Sequence, residues 1–197
     1  MNKEDLDKLV KNLPEVPGIL RKDEFFNSAV IIPFVFIEGE FHLLFEKRAA
    51  NIRQGGEICF PGGEYDPKLD KDFTETAVRE TIEELGIGIE KIKVLGIMDT
   101  LMGPMGVTVD SSVAELEIKS IEELNIDKTE VEKVFLVPVS WFINNPPEEY
   151  FVQLFVHPHY TDEKVILFTF SPQRNLNYPK DTTSRGMQAK ERFMFIN

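Results

Sequence analysis

The chain has 197 residues, which is enough for one well-buried core and short of two comfortable domains. Its apolar fraction of 42% is ordinary for a globular protein, no apolar run is long enough to cross a bilayer, and the start Met1-Asn2-Lys3-Glu4-Asp5 lacks the basic and apolar regions of a secretory signal, so a soluble, non-membrane protein is expected. A net charge of −12 argues against nonspecific nucleic-acid binding, and the single cysteine, Cys59, excludes an intrachain disulfide and fits a reducing, cytoplasmic setting.

Residues 3–12 place Leu6, Leu9, Val10 and Leu13 on one helical face, and Pro14 and Pro17-Gly18 end that segment. Residues 28–37 and 41–48 read as a hairpin across Glu38-Gly39-Glu40. A strand over 57–60 leads into Gly62-Gly63, an acidic loop over 66–72, and a helix over about 74–85. Further strands are predicted over 92–100, 107–118, 133–138, 150–157 and 164–170, with another beginning at 193–196. Residues 102–106 read as a flexible loop, and 140–144 as a short helix before Pro146-Pro147. Trp141 and Phe142 are expected in the core, whereas His157 and His159 read as surface or turn residues because no third ligand stands at metal-site spacing. Strands dominate, with helices between them, as in an α/β sandwich around a mixed sheet. The expected organisation is a helix and linker over 1–27 and one domain over 28–197.

The segment Arg79-Glu80-Thr81-Ile82-Glu83-Glu84-Leu85-Gly86-Ile87 carries the chemical signal. At about 100° per residue, Glu80, Glu83 and Glu84 share one arc while Val78, Ile82 and Leu85 gather opposite, which predicts a packed face and an acidic face. Carboxylates at i, i+3 and i+4 repel one another, so their grouping calls for a counter-ion, and hard oxygen donors suit Mg²⁺ or Mn²⁺. A solvated surface would account for a bare cluster of this kind, but the surroundings add chemistry. Arg79 can hold a carboxylate, Gly86 can end the helix in a left-handed conformation, and Gly62-Gly63 lets backbone approach a ligand or metal closely.

The run from Gly63 to Ile87 resembles the Nudix box, G-x5-E-x7-R-E-U-x-E-E-x-G-U with U apolar. Thr81 stands at an apolar position, Gly63 to Arg79 spans two residues more than usual, and Lys71 stands where the upstream glutamate would be. A longer box is a property of the coenzyme A pyrophosphatase branch. That branch's preceding signature is similar to Leu43-Leu44-Phe45-Glu46-Lys47-Arg48 followed by Ile52-Arg53 and Gly56-Glu57-Ile58-Cys59-Phe60-Pro61-Gly62-Gly63, with Gly55 in place of the usual histidine. Asp66, Asp70, Thr76-Ala77-Val78 and Glu130–Val139 fit the branch as well, so the resemblance runs over about residues 28–143. The branch commonly ends in a further helix, and the expectation is either an unusually early end or a chain lacking that helix.

The resemblance implies a Nudix-type α/β/α sandwich around a mixed β-sheet and metal-dependent cleavage of a phosphoanhydride. The implied substrate is coenzyme A or an acyl derivative, giving 3′,5′-ADP and 4′-phosphopantetheine. ADP-ribose or a nucleoside triphosphate is the rival substrate, and a non-catalytic nucleotide sensor is the rival of another class. Expected metal ligands for Mg²⁺ or Mn²⁺ are Glu80 and Glu84, with Glu83 and the Gly63 carbonyl contributing. Arg79 joins the catalytic set by orienting a carboxylate, and Glu83 and Glu130 are both candidates for general base. Arg48, Arg53 and Gly62 are assigned to substrate, the arginines with the alternative of salt bridges to the acidic loop. The partner is a small-molecule nucleotide, neither nucleic acid nor membrane, and a homodimer is left open. The negative field would repel a diphosphate unless divalent ions reverse the local sign.

Overall fold

The computed structural model describes residues 2–15, 18–103, 106–162, 165–172 and 188–195, with side chains described up to residue 147. It divides into two compact units, Met1–Val139 and Ser140–Asn197. In chain order the elements are α1 (Lys3–Lys11), β1 (Phe26–Ile37), β2 (Glu40–Arg48), β3 (Ile58–Cys59), β4 (Gly62–Glu64), α2 (Phe73–Leu85), β5 (Ile92–Ile97), β6 (Leu101–Gly103), β7 (Val107–Leu116), β8 (Val131–Pro138), α3 (Val139–Asn144), β9 (Glu148–Asp162), β10 (Val165–Pro172) and β11 (Gln188–Phe195).

The first unit is built on a mixed sheet of order β3-β2-β1-β7-β5, in which β4 also pairs with β1, β6 with β7, and β8 with β2. Strands β1 and β7 run parallel and the other pairings are antiparallel. Strand β1 alternates, burying Ala29, Ile31, Pro33 and Val35 on one face. It also changes partner along its length, pairing with β4 over Ser28–Val30 and with β2 over Phe34–Ile37. Pro33 falls between these two ladders, where its missing N–H costs no hydrogen bond on that side. The β1–β2 hairpin turns through Glu38 at φ 54° and Gly39 at φ 86°, two positive values in succession, as a tight primed turn requires.

Helix α2 packs on β1, β4 and β7. Asp72 caps its N-terminus by accepting from the Glu75 N–H at 2.9 Å, and Gly86 ends it at φ 62°. Below it, Ala29, Ile31, Ala77 and Ala114 form one buried cluster; Val35, Leu44, Leu85, Ile87, Leu116 and Ile118 form the larger one. On β2, Phe45 stacks between Phe60 at 4.8 Å and Phe135 at 5.7 Å.

Three expectations need correction. Residues 102–103 are not loop but belong with Leu101 to strand β6, paired with Val107–Val109, while 104–105 lie outside the described residues. Trp141 is not core: it is 37% exposed, with its ring edge-to-face against Phe142 at 5.2 Å. The packed face of α2 is also rotated from the predicted one. Thr81 and Glu84 are buried with Ala77 and Leu85, and Val78 and Ile82 are only half-buried. The side chains of His157 and His159 lie outside the described residues.

In the second unit, β9 lies between β10 and β11 in an antiparallel three-stranded sheet.

Candidate functional site

The site forms where the corner after β3 meets the last two turns of α2. Cys59 belongs to the end of β3, Pro61 is buried, and Gly62 and Gly63 open β4. Gly62 sits at φ 152°, and a Cβ there would lie 2.6 Å from the Val30 Cα and closer still to the Ala29 carbonyl oxygen. Only glycine fits against β1 at that point. Its N–H donates to Glu84 Oε2 at 2.8 Å, so the Gly62 amide holds an acid of α2. Gly63 faces the other acid: a Cβ on it would stand 2.6 Å from Glu80 Oε1. The glycine pair therefore brings backbone directly against two carboxylates.

Those carboxylates are in different settings. Glu84 is 2% exposed, and its carboxyl is pushed up to about 8, first by burial and next by the like charge of Glu46. Burial also raises Glu80, against the pull of Arg79. Glu83 points outward, with its side chain 59% exposed and 3.3 Å from Arg79 Nη1. The three acids thus do not share one solvent face, and among the described residues no three His, Cys, Asp or Glu side chains stand as a preassembled metal cage.

Arg79 ties the helix to the acidic loop. Its Nε and Nη2 donate to the two oxygens of Asp70, each at 2.9 Å, and Nη1 donates to Glu80 Oε1 at 2.8 Å. Asp70 is buried, also accepts from Thr76 Oγ1 at 2.9 Å, and is held below the usual carboxylate range chiefly by Arg79. Asp66 supports that loop by accepting from the Lys68 N–H through its side chain and from the Asp70 N–H through its carbonyl, both at 2.9 Å.

Glu130 comes from a separate segment anchored to the helix end. Asn125 N–H donates to the Leu85 carbonyl at 3.0 Å and Asp127 N–H to that of Glu84 at 2.9 Å, satisfying acceptors that a helix terminus leaves open. Gly86 makes room, since a Cβ there would lie 2.8 Å from the Asn125 carbonyl carbon. At its other side the Glu130 carbonyl accepts from Ala49 N–H at 2.8 Å. Its side chain is exposed, and its charge bears on Glu46 and Glu80.

Arg48 Nε donates to the Arg53 carbonyl at 3.2 Å, and the Arg53 guanidinium stands 4.9 Å from the Phe26 ring centre. Among the described residues neither pairs with the acidic loop, whose Asp70 belongs to Arg79. The positive charge of Arg48 lowers Glu46 and Glu84, which locates it beside the buried acids.

Glu46 was missed from the sequence. It is fully buried on β2, accepts from Cys59 Sγ at 3.2 Å through Oε1, and leaves Oε2 without a hydrogen-bond partner. Burial first, then the charge of Glu46 and this contact, push the Cys59 thiol up to about 12, the state of a donor rather than a reactive thiolate. Strand alternation was a usable signal, because Glu46 falls on the same buried face as Leu44 and an interior acid requires a partner.

The oxygen-only side chains, the orphaned Glu46 Oε2 and the bare Gly63 surface beside Glu80 fit a small hard cation by donor chemistry. A mixed sheet carrying a glycine corner, with an Arg-Glu-x-x-Glu-Glu helix laid across it, defines the class to which the molecule belongs. The NUDIX domain model matches residues 26–159, and the chain belongs to that family with its Nudix-type sandwich fold. Nudix hydrolase 3 of Caenorhabditis elegans is 33% identical over 72% of this chain and 62% of its own length. The mitochondrial coenzyme A diphosphatase NUDT8 of Homo sapiens is 31% identical over 63% of this chain and 53% of its own length. The peroxisomal coenzyme A diphosphatase NUDT7 of Mus musculus is 33% identical over 62% and 50%. The chain therefore spans between half and two thirds of the length of these relatives.

Proposed function

We propose that this domain is a pyrophosphohydrolase that uses Mg²⁺ or Mn²⁺ to cleave nucleoside diphosphate derivatives, with coenzyme A or an acyl-CoA as substrate. The reading is carried by one observation: the Gly62-Gly63 corner contacts the carboxylates of both Glu80 and Glu84. The substrate choice is supported by the names of two relatives, both coenzyme A diphosphatases.

Glu80, Glu84, Glu83 and the Gly63 carbonyl would hold the cation, which when bound neutralises phosphate oxygens and stabilises the charge that grows on the departing group. Arg79 keeps Glu80 in place while anchored on Asp70. Arg48 and Arg53 meet the substrate phosphates. Glu83 or Glu130 accepts a proton from water, whose oxygen forms a bond to one phosphorus. The bond from that phosphorus to the bridging oxygen breaks, and its electron pair leaves with the other phosphate. The products are 3′,5′-ADP and (acyl-)4′-phosphopantetheine. The catalytic domain is proposed to run over 28–197 and to work in the cytoplasm, although the two diphosphatase relatives are named as mitochondrial and peroxisomal.

The test is a panel of coenzyme A, ADP-ribose and nucleoside triphosphates incubated with protein and Mg²⁺, with and without chelator, and products resolved by mass. Coenzyme A cleavage abolished by chelator is expected. Intact coenzyme A beside cleaved ADP-ribose would remove the branch assignment, and tight nucleotide binding without cleavage of any of them would identify a sensor.

A further inference from the structure

The corner that holds Glu84 also holds a second interior acid. Gly62 N–H donates to Glu84 Oε2 at 2.8 Å, and Cys59, three residues earlier, donates to Glu46 Oε1 at 3.2 Å. One turn of backbone therefore presents a carboxylate from α2 and another from β2 to the same interior. Glu46 is fully buried and Glu84 is 2% exposed.

This arrangement is costly in the protein alone. A buried carboxylate requires good donors to offset lost hydration, and a thiol is a weak one. Oε2 of Glu46 has no partner, although the alternation of β2 would accept an apolar side chain beside Leu44. The charged groups bearing on Glu46 are Arg48, which favours its carboxylate, and Glu130 and Glu84, which repel it. A buried carboxylate oxygen without a partner, on an acid whose charge bears on a second buried acid, is satisfied by one divalent cation.

We propose that Glu46 is a metal-site residue, contributing its free Oε2 to the cation held by Glu80 and Glu84 from the strand side of the corner. The assignment rests on the cation-dependent reading above and adds a β2 residue to the set drawn from the Nudix helix. Cys59 is its positioning residue, fixing Oε1 so that Oε2 faces inward.

The experiment is Mn²⁺ binding to chelator-stripped protein, read as free Mn²⁺ by electron paramagnetic resonance, for wild type, Glu46→Gln and Glu84→Gln, with circular dichroism melting of the stripped proteins alongside. Wild type should bind Mn²⁺, and Glu46→Gln should raise Kd at least ~10-fold without a lower melting temperature. The latter follows because the amide removes a buried like charge. Binding within twofold of wild type in a folded Glu46→Gln protein overturns the assignment while leaving the cation reading intact. Wild type that binds no Mn²⁺ overturns both. Should Glu46→Gln fail to fold, Glu46→Asp keeps the charge but withdraws the carboxylate by one methylene. The same weakening is then expected, and unchanged affinity counts against the proposal.

Discussion

Replacing Glu84 by glutamine separates what the acid costs the fold from what it supplies to a cation. The amide keeps an oxygen to accept the 2.8 Å bond from Gly62 N–H and removes the charge. In the metal-free protein the Glu84 carboxyl is raised from 4.5 to about 8, so the folded state retains its proton where the unfolded chain has lost it. Stability from this group is therefore complete below about pH 4.5 and is lost as pH rises to about 8. The displacement corresponds to about 5 kcal/mol at most. Urea titrations of chelator-treated protein at pH 5 and 8.5 should show wild type weaker at the higher pH by several kcal/mol. Glu84→Gln should lose most of that slope and keep a remainder, because burial raises Glu46 and Glu80 in the same direction. Adding Mn²⁺ at 100 times its Kd should return about 2.7 kcal/mol to wild type and little to the mutant. Turnover of the mutant should fall at least ~100-fold. A wild-type stability flat from pH 5 to 8.5, or a mutant with the full Mn²⁺ gain, would refute this account.

The two glycines should respond differently to the same methyl group. Gly62→Ala meets backbone of β1 at a positive φ and should lower stability by about 3 kcal/mol or more in urea titration. Gly63→Ala meets the Glu80 carboxylate first, the far end of a side chain that can shift, so the fold should survive while Mn²⁺ affinity drops about tenfold by calorimetry. Arg79→Ala leaves the buried Asp70 carboxylate unpaired and should destabilise by about 3–5 kcal/mol, with Asp70→Asn recovering part of the loss in the double mutant. Glu130→Gln tests the choice of base: a fall in kcat with Mn²⁺ affinity preserved assigns the proton to Glu130, and unchanged kcat assigns it to Glu83.

Local signals were strong where one residue decides a conformation. Gly39 and Gly86 mark turns by backbone freedom, Pro14 follows the end of α1, and the hairpin, α1, α2 and α3 fall within a residue or two of their predicted spans. The pairing of acids with their partners was less legible. Helical periodicity grouped Glu80, Glu83 and Glu84 on one arc, yet α2 rotates Glu84 into the core because Gly62 N–H waits there to receive it. That donor belongs to another strand, and no property of the helix announces it. Strand β6 escaped for a related reason, as Leu101–Gly103 is strand only through its ladder with Val107–Val109. Glu46 needed both pieces of information at once, an alternation within β2 and the corner that faces it.

The departures from the family motif each have a local cause. Thr81 occupies an apolar position fully buried, and its hydroxyl is satisfied at 2.6 Å by the Ala77 carbonyl one turn back, so a polar side chain is tolerated in a packed site. Gly55 replaces a histidine where backbone passes too close for any side chain: a Cβ would lie 2.8 Å from the Ala49 carbonyl oxygen. The lengthened box leaves exposed Lys71 at the expected acid, but Asp70 beside it turns inward under the Asp66 carbonyl and receives the fork of Arg79. An acid is therefore still delivered to the arginine, shifted by one residue. Each substitution preserves a contact or relieves a clash, and Glu80 and Glu84 keep their places against the glycine corner.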